Sequence, residues 1–389
     1  MKKSRGASLL SLKALNQLQI RRSIYYNAPV TRQQIADQLG VSLPTVTTNV
    51  AQMLADGLLE EYTGDSSPLG GRKPQWLDFR PDSRFAIGLE QAAFGALACV
   101  TDLRGHVVCR RELPVQNDYD AMLSVIGKYT DLLIKEAGIS REVILGVGMG
   151  LPGFIDSSHN TVRTGPFANL TGRDLAKELS LAAGLPAWIN NNARMRTLWR
   201  EMFSGLDGIP ATYVYLFVSK GIACPMMIRD NLLIGKGASA GEIGHTTILP
   251  GGPVCPVCGR RGCLDAVSSE RAILRQLNAE LPDQSPWDIR GALHAQTQGD
   301  PTVCRILEEA VHYLGLAVAN VFNFISPGLF SVDGLIFENE RNQELLLETV
   351  KENLFGLSFE EAKVEFLPHD PYTGAYGAAA FVVRQSLLV

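Results

Sequence analysis

Apolar positions follow a helical period through the first 55 residues and then give way to alternation. Leu10, Leu15, Leu18 and Ile24 predict a helix from Leu9 to Tyr26, free of internal Gly and Pro and stopped by Pro29. Thr31 is placed to cap a second helix, Arg32–Leu39, with Ile35, Ala36 and Leu39 facing inward. Gly40-Val41 makes a tight turn, and Ser42 caps a third helix running to about Ala55, with Pro44 tolerated in its first turn. On this third helix Val46, Val50 and Met53 share one face. Leu58–Tyr62 and the stretch after a Gly/Ser/Pro-rich loop (TGDSSPLGGRKPQWLDF) predict two short strands, a wing. Helix, glycine turn, helix and wing together describe a winged helix-turn-helix.

From Phe85 the pattern changes. Phe85–Leu89, Gly95–Thr101 and His106–Glu112 read as three consecutive strands, the last two joined at Asp102–Gly105. A helix over Tyr119–Ala137 follows, then an apolar strand ending in GVGMGLPGFID (146–156), a strand at Trp188-Ile189 leading into helix Ala193–Phe203, and a strand at Tyr213–Val218. Helices at Ser269–Glu280 and Thr302–Phe322, a strand at Ile325–Val332 and a closing helix at Thr373–Leu388 complete the series. Three strands followed by alternating helix and strand is the pattern of an actin-like, ribonuclease-H-like α/β fold, here long enough for two lobes with a cleft. The expected domains are 1–81, the winged helix, and 82–389, the two-lobed body.

Charge separates the same two parts. Residues 1–80 hold ten basic and six acidic side chains, a net of +4, whereas the remainder holds 26 and 34, a net of −8. Residues 1–30 hold six basic side chains and no acidic one. A basic head on an acidic body suggests a nucleic-acid-binding module joined to a second, different part. There is no run of 18 apolar residues and no signal-peptide core, and Cys99, Cys109, Cys224 and Cys304 form no disulfide framework, so a cytoplasmic protein without membrane insertion is expected.

Thr45, Thr48, Asn49 and Gln52 fall on one face of the third helix at i, i+3, i+4 and i+7, and Thr47 joins them as a candidate. Short uncharged side chains of this kind suit hydrogen bonds to base edges in a major groove of double-stranded DNA. Arg72 and Lys73, beside Gly70 and Gly71, read as a basic arm for phosphate or the minor groove.

The stretch GEIGHTTILPGGPVCPVCGRRGC (241–263) places His245, Cys255, Cys258 and Cys263 within 19 residues. Three thiolates and one imidazole complete a tetrahedral set for Zn2+, with every position filled by protein, which describes a structural site. A CxxC pair alone would equally describe a redox pair; the third cysteine and the histidine favour metal.

The motifs GVGMGLPGFID, GKGASAGEIGH and CPVCGRRGCLD, in this order behind a winged helix, resemble the ROK family of repressors and sugar kinases across nearly the whole chain. The family usually has one residue between the first two cysteines; Pro256 and Val257 make two here. The resemblance implies a sugar-kinase fold carrying a structural zinc loop, but the phosphotransfer residues are missing. The family's catalytic base lies in an Asn-Asp pair, which is Asn191-Asn192 here, and an amide accepts no proton at neutral pH. The glycine-rich turn after the first strand is Gly88-Leu89-Glu90-Gln91-Ala92, whose Glu90 is expected to repel phosphate. The second loop, Ser219 to Pro225, is crowded with larger side chains, and the late Gly-Gly turn is Asp333-Gly334. Sugar-contact positions carry over better: Asn169, Asn191, Asn192, Glu242, His245 and, where the family usually has Glu, Asp265. For Glu242 the alternative is a second layer around the zinc ligands.

The expectation is therefore a regulator, not an enzyme: a repressor of carbohydrate-metabolism genes, controlled by a sugar or sugar derivative and assembled as a homodimer or homotetramer on operator DNA. The alternatives are a regulator controlled by a protein partner, with a vestigial sugar cleft, and an active sugar kinase.

Overall fold

Local capping sets the first helices. In a computed structural model, which describes residues 3–64, 73–92, 95–114, 118–156, 161–164, 170, 172–204, 209–284 and 286–389, α1 spans Lys3–Asn27. α2 (Arg32–Leu39) starts at a capping box between Thr31 and Gln34 and stops at Gly40, whose φ of 64° is the left-handed conformation. α3 (Leu43–Ala55) is capped by Ser42. β1 (Leu59–Thr63) pairs antiparallel with β2 (Gln75–Phe79) as the wing, with Leu59 opposite Phe79. Ile20, Ile24, Ile35, Val46, Val50, Leu77 and Phe79 are fully buried and form the head's core.

The first sheet of the body has the order β5-β4-β3-β6-β9. It comprises β3 (Phe85–Ala92), β4 (Gly95–Asp102), β5 (Val107–Leu113), β6 (Ile144–Leu151) and, beyond the short β7 (Phe154–Asp156) and β8 (Thr161–Thr164) ribbon, β9 (Ala187–Asn191). β3, β4 and β5 pair antiparallel, while β6 joins β3 and β9 joins β6 in parallel. α4 (Tyr119–Ala137) and α5 (Leu175–Ala183) supply one covering layer, and α6 (Asn192–Met202) leaves the end of β9.

The second sheet runs β13-β12-β10-β14-β15, with β11 on β10. Its strands are β10 (Thr212–Val218), β11 (Ile222–Ala223), β12 (Met226–Ile228), β13 (Asn231–Leu232), β14 (Leu329–Asp333) and β15 (Val364–Phe366). Around its core lie α7 (Leu264–Ser268), α8 (Glu270–Glu280), α9 (Ile289–Thr297), α10 (Pro301–Ile325) and α11 (Glu340–Asn353). α10 is longer than the pattern predicts: it continues through Ile325 and ends where Ser326 turns left-handed, so β14 starts only at Leu329. The chain closes with α12 (Thr373–Val383) and one wider π-helical turn, Arg384–Leu388.

Two units result: Met1–Gly208 with Gly374–Val389, and Ile209–Thr373. The expected boundary at residue 81 is not a break between them. Inside the first unit, Tyr25 Oη donates to Leu103 O at 2.8 Å, and Arg104 donates to Tyr25 O at 2.7 Å and to Asp78 at 2.5 Å. The turn carrying Arg104 is braced by Asp102 Oδ1, which accepts from the amides of Arg104 and His106. Arg384 lies 3.4 Å from Glu201 and 3.5 Å from Tyr26 Oη. These contacts are buried or half-buried and tie the head to the first sheet.

Candidate functional site

α3 presents Thr47, Thr48 and Gln52 to solvent, with Thr45 half-buried. The threonine hydroxyls of 47 and 48 donate back to Leu43 O and Pro44 O, and Gln52 Nε2 donates to Asp56 at 2.9 Å, which orients these groups without consuming their remaining acceptors. Asn49 departs from the expected polar face. It is only 9% exposed, and its amide donates to Thr45 O at 2.8 Å, so it packs with Val46, Val50 and Met53. Lys73 is exposed two residues before the second wing strand, while Arg72 lies outside the described residues.

In the second unit, backbone hydrogen bonds fold residues 241–263 back on themselves. Cys255 N donates to Arg260 O at 2.7 Å, Gly259 N to Cys255 O at 2.9 Å, and Gly262 N to Pro253 O at 2.9 Å. Gly262 has φ 72°, and a β-carbon there would lie 1.7 Å from Leu249 O, so no other residue fits. The fold brings the ligand atoms of His245, Cys255, Cys258 and Cys263 within 4.8 Å of one another. His245 Nδ1 lies 3.8 Å from Cys255 Sγ, and Cys258 Sγ 3.4 Å from Cys263 Sγ. Sulfur and nitrogen ligands at about 2.0–2.3 Å from one ion require separations of this size. The donor set therefore fits a tetrahedral metal ion. Burial raises the Cys258 thiol, but hydrogen bonds from Arg260 and the neighbouring thiols outweigh it and bring it down to about 7, which favours the thiolate.

The expected sugar positions fall into two groups, one in each unit. Asn191 is largely committed to structure: its Oδ1 caps α6 through Ala193 N and Arg194 N, and its Nδ2 donates to Gly153 O at 2.8 Å. Asn192 Oδ1 accepts from Ala193 N at 3.0 Å. Asn169 lies outside the described residues. In the second unit Glu242 opens the short helical turn that carries His245. Asp265 is 4% exposed; its Oδ1 accepts from Ile222 N at 3.2 Å and its Oδ2 has no hydrogen-bond partner.

Two glutamates at strand and helix ends complete the picture. Glu90, 1% exposed at the end of β3, forms an ion pair with Arg196 of α6 through contacts of 2.9, 3.2 and 3.3 Å. Its carboxylate abuts Gly374, where a β-carbon would come within 2.0 Å. Glu270, at the start of α8, accepts from the Ser219 hydroxyl at 3.4 Å, and its own amide donates to Ser219 O at 2.9 Å.

A family model described as ROK family matches residues 86–385. The chain belongs to the ROK family. A second model, winged helix-turn-helix DNA-binding, matches residues 15–60. The xylose repressor of Bacillus subtilis (strain 168) is 26% identical over 333 residues, 84% of each chain. The solved structure of a ROK family transcriptional regulator, a homologue of the Escherichia coli MLC protein, aligns over 97% of each chain with a TM-score of 0.82 at 21% identity. A ROK hexokinase of Thermus thermophilus aligns over 76% of this chain and 97% of its own, with a TM-score of 0.65 at 26% identity. The ROK fold itself extends to sugar kinases.

The ROK body of this chain answers the phosphate-loop expectations in a different way from the sequence. Glu90 is not a bare charge facing a phosphate, because Arg196 neutralises it from within the same unit. That partner, 106 residues away, has no sequence signal. In the second loop the Ile222 amide is spent on Asp265, and Ser219 N donates to Gly221 O at 3.0 Å. Glu270, which the sequence pattern does not single out, stands beside this loop.

Proposed function

We propose that the chain is a DNA-binding transcriptional repressor of carbohydrate-metabolism genes, controlled by a sugar or sugar derivative, and that it has no kinase activity. The observation that supports this most is the pairing of a winged helix with a ROK body whose second loop spends its Ile222 amide on Asp265 and whose Glu90 is paired with Arg196. A kinase must keep such loop amides open for nucleotide phosphates and must place a base at the sugar hydroxyl. Here Asn192 stands at the base position. We assign base contacts to Thr45, Thr47, Thr48 and Gln52, backbone contacts to Arg72 and Lys73, and sugar recognition to Asn169, Asn191, Asn192, Glu242, His245 and Asp265. The protein acts as a homodimer or homotetramer, since helix-turn-helix heads read two-fold sites in pairs. The metal held by His245, Cys255, Cys258 and Cys263 is zinc, with a structural role.

Operator DNA selected from a random pool by the full-length protein, followed by affinity measurements with a panel of sugars, tests the reading. The best-binding sugar is expected to change operator affinity about 5–150-fold, with a reciprocal effect of DNA on sugar affinity. Tight sugar binding without any change at the operator would remove the sugar from the signal and leave a protein partner to carry it. Elemental analysis is expected to give about one zinc per chain, lost in Cys258→Ser together with on the order of 10 kcal/mol of local folding energy.

A further inference from the structure

On the inward side of the winged helix, the first unit holds a cavity of about 500 Å³ lined by Arg21 of α1, Met53 and Asp56 at the end of α3, Leu58, Arg84 and Leu387. That volume lies within the roughly 300–1,000 Å³ of small-molecule sites. Its charge is set by two guanidinium groups against one carboxylate. Arg21 Nε is buried with no hydrogen-bond partner. Burial lowers the Arg21 pKa from its ordinary value, as expected for a cation whose lost hydration is not replaced. Arg84 donates to two carbonyls, Ser83 O at 2.6 Å and Asp56 O at 3.3 Å. Among the described residues neither guanidinium has a carboxylate in an ion pair. The one carboxylate in the lining, Asp56, already accepts from Gln52.

We propose that this cavity binds a small organic oxyanion, a metabolite carrying a phosphate or carboxylate group, gripped by Arg21 and Arg84. A guanidinium fork matches either oxyanion through paired hydrogen bonds, which the accessible edges of Arg21 and Arg84 can offer. The cavity opens on the stripe of α3 that carries Met53, which is buried together with Val46 and Val50, whereas Thr47, Thr48 and Gln52 are exposed. The ligand is therefore a small molecule held behind the recognition helix, not the DNA backbone in front of it. It would touch α1, the end of α3, the segment leading into β3 and the C-terminal turn, so its occupancy fixes the head on the first sheet. None of the proposed sugar-contact residues takes part, so the site stands whether or not a sugar is the signal.

The test is calorimetric titration of the full-length protein with inorganic phosphate and, separately, with succinate, ionic strength being held constant with chloride. Saturable binding of at least one anion is expected in the wild type. Arg21→Gln and Arg84→Gln should each weaken it about tenfold or more. Arg84→Lys, which keeps the charge but loses the fork, should fall between, and Asp56→Asn should tighten binding by removing the opposing charge. Unliganded melting curves identify any variant that fails to fold; Arg84→Lys and Asp56→Asn then decide. No saturable response to either anion overturns the proposal, as does a wild-type response retained in both arginine variants. If Arg21→Gln weakens operator binding in anion-free buffer and leaves anion affinity unchanged, Arg21 is a DNA-phosphate contact and the proposal fails.

Discussion

Glu90, buried, and Glu270, half-buried, stand beside loops that in a phosphotransferase would face a nucleotide, yet they are treated oppositely. Glu90 has a guanidinium within 2.9 Å, itself buried, and a glycine at Gly374 that leaves room for the pair. Glu270 has no such ion pair: it feels His369 at a distance, one long hydrogen bond from Ser219, and the weaker influence of Lys220 and Asp333. Burial dominates for Glu270 and raises its pKa, with His369, Ser219 and Lys220 pulling down and Asp333 pushing up. A buried charge can be completed locally by a partner, or it can be left costly. The first glutamate is part of the core; the second carries an energetic cost that conditions can relieve.

The largest effect should come from opening the completed pair. Arg196→Met strands a buried carboxylate and should lower stability by about 3–5 kcal/mol in denaturant unfolding, while Glu90→Leu combined with Arg196→Met should restore most of it. A double variant as unstable as the single one would mean that Arg196 acts through its other contacts and not through Glu90. Next in size, Gly374→Ala should cost about 1–3 kcal/mol by forcing a methyl group into the Glu90 carboxylate, read as a lower melting temperature.

The smallest effect concerns Glu270 and depends on pH. A carboxyl whose folded pKa lies above its unfolded value of 4.5 binds more protons folded than unfolded. Stability is then favoured below the unfolded pKa and falls as pH rises through the folded one. Glu270→Gln should accordingly raise the melting temperature at pH 7 and make little difference near pH 4. An equal gain at both pH values would show that the charge is not what makes Glu270 costly.

What the sequence revealed and what it hid follow from distance along the chain. The caps at Thr31 and Ser42, the turn at Gly40 and the cysteine cluster are all written within a few residues, and the structure keeps them in place. Glu90 and Arg196 meet only because β9, which runs into α6, lies in the same sheet as β3, so the charge at 90 read as bare. Asn49 misled for a geometric reason. At about 100° per residue it lies three positions after Val46 and four before Met53, as close to the apolar stripe as to the polar one, and the apolar side claimed it. The expected strand at Ile325 failed because apolar Val321, Phe322 and Ile325 serve a buried helix end as well as a strand.

Arg104 and Tyr25 join the head to the first sheet through buried and half-buried hydrogen bonds, and Arg384 adds a tie from the last turn of the chain. Melting of the winged helix alone would strand these groups, so its unfolding is expected to be coupled to that of the first sheet. Damage far from the recognition helix, anywhere in the first sheet or in the C-terminal helix that returns to it, would be felt at the operator as lost occupancy.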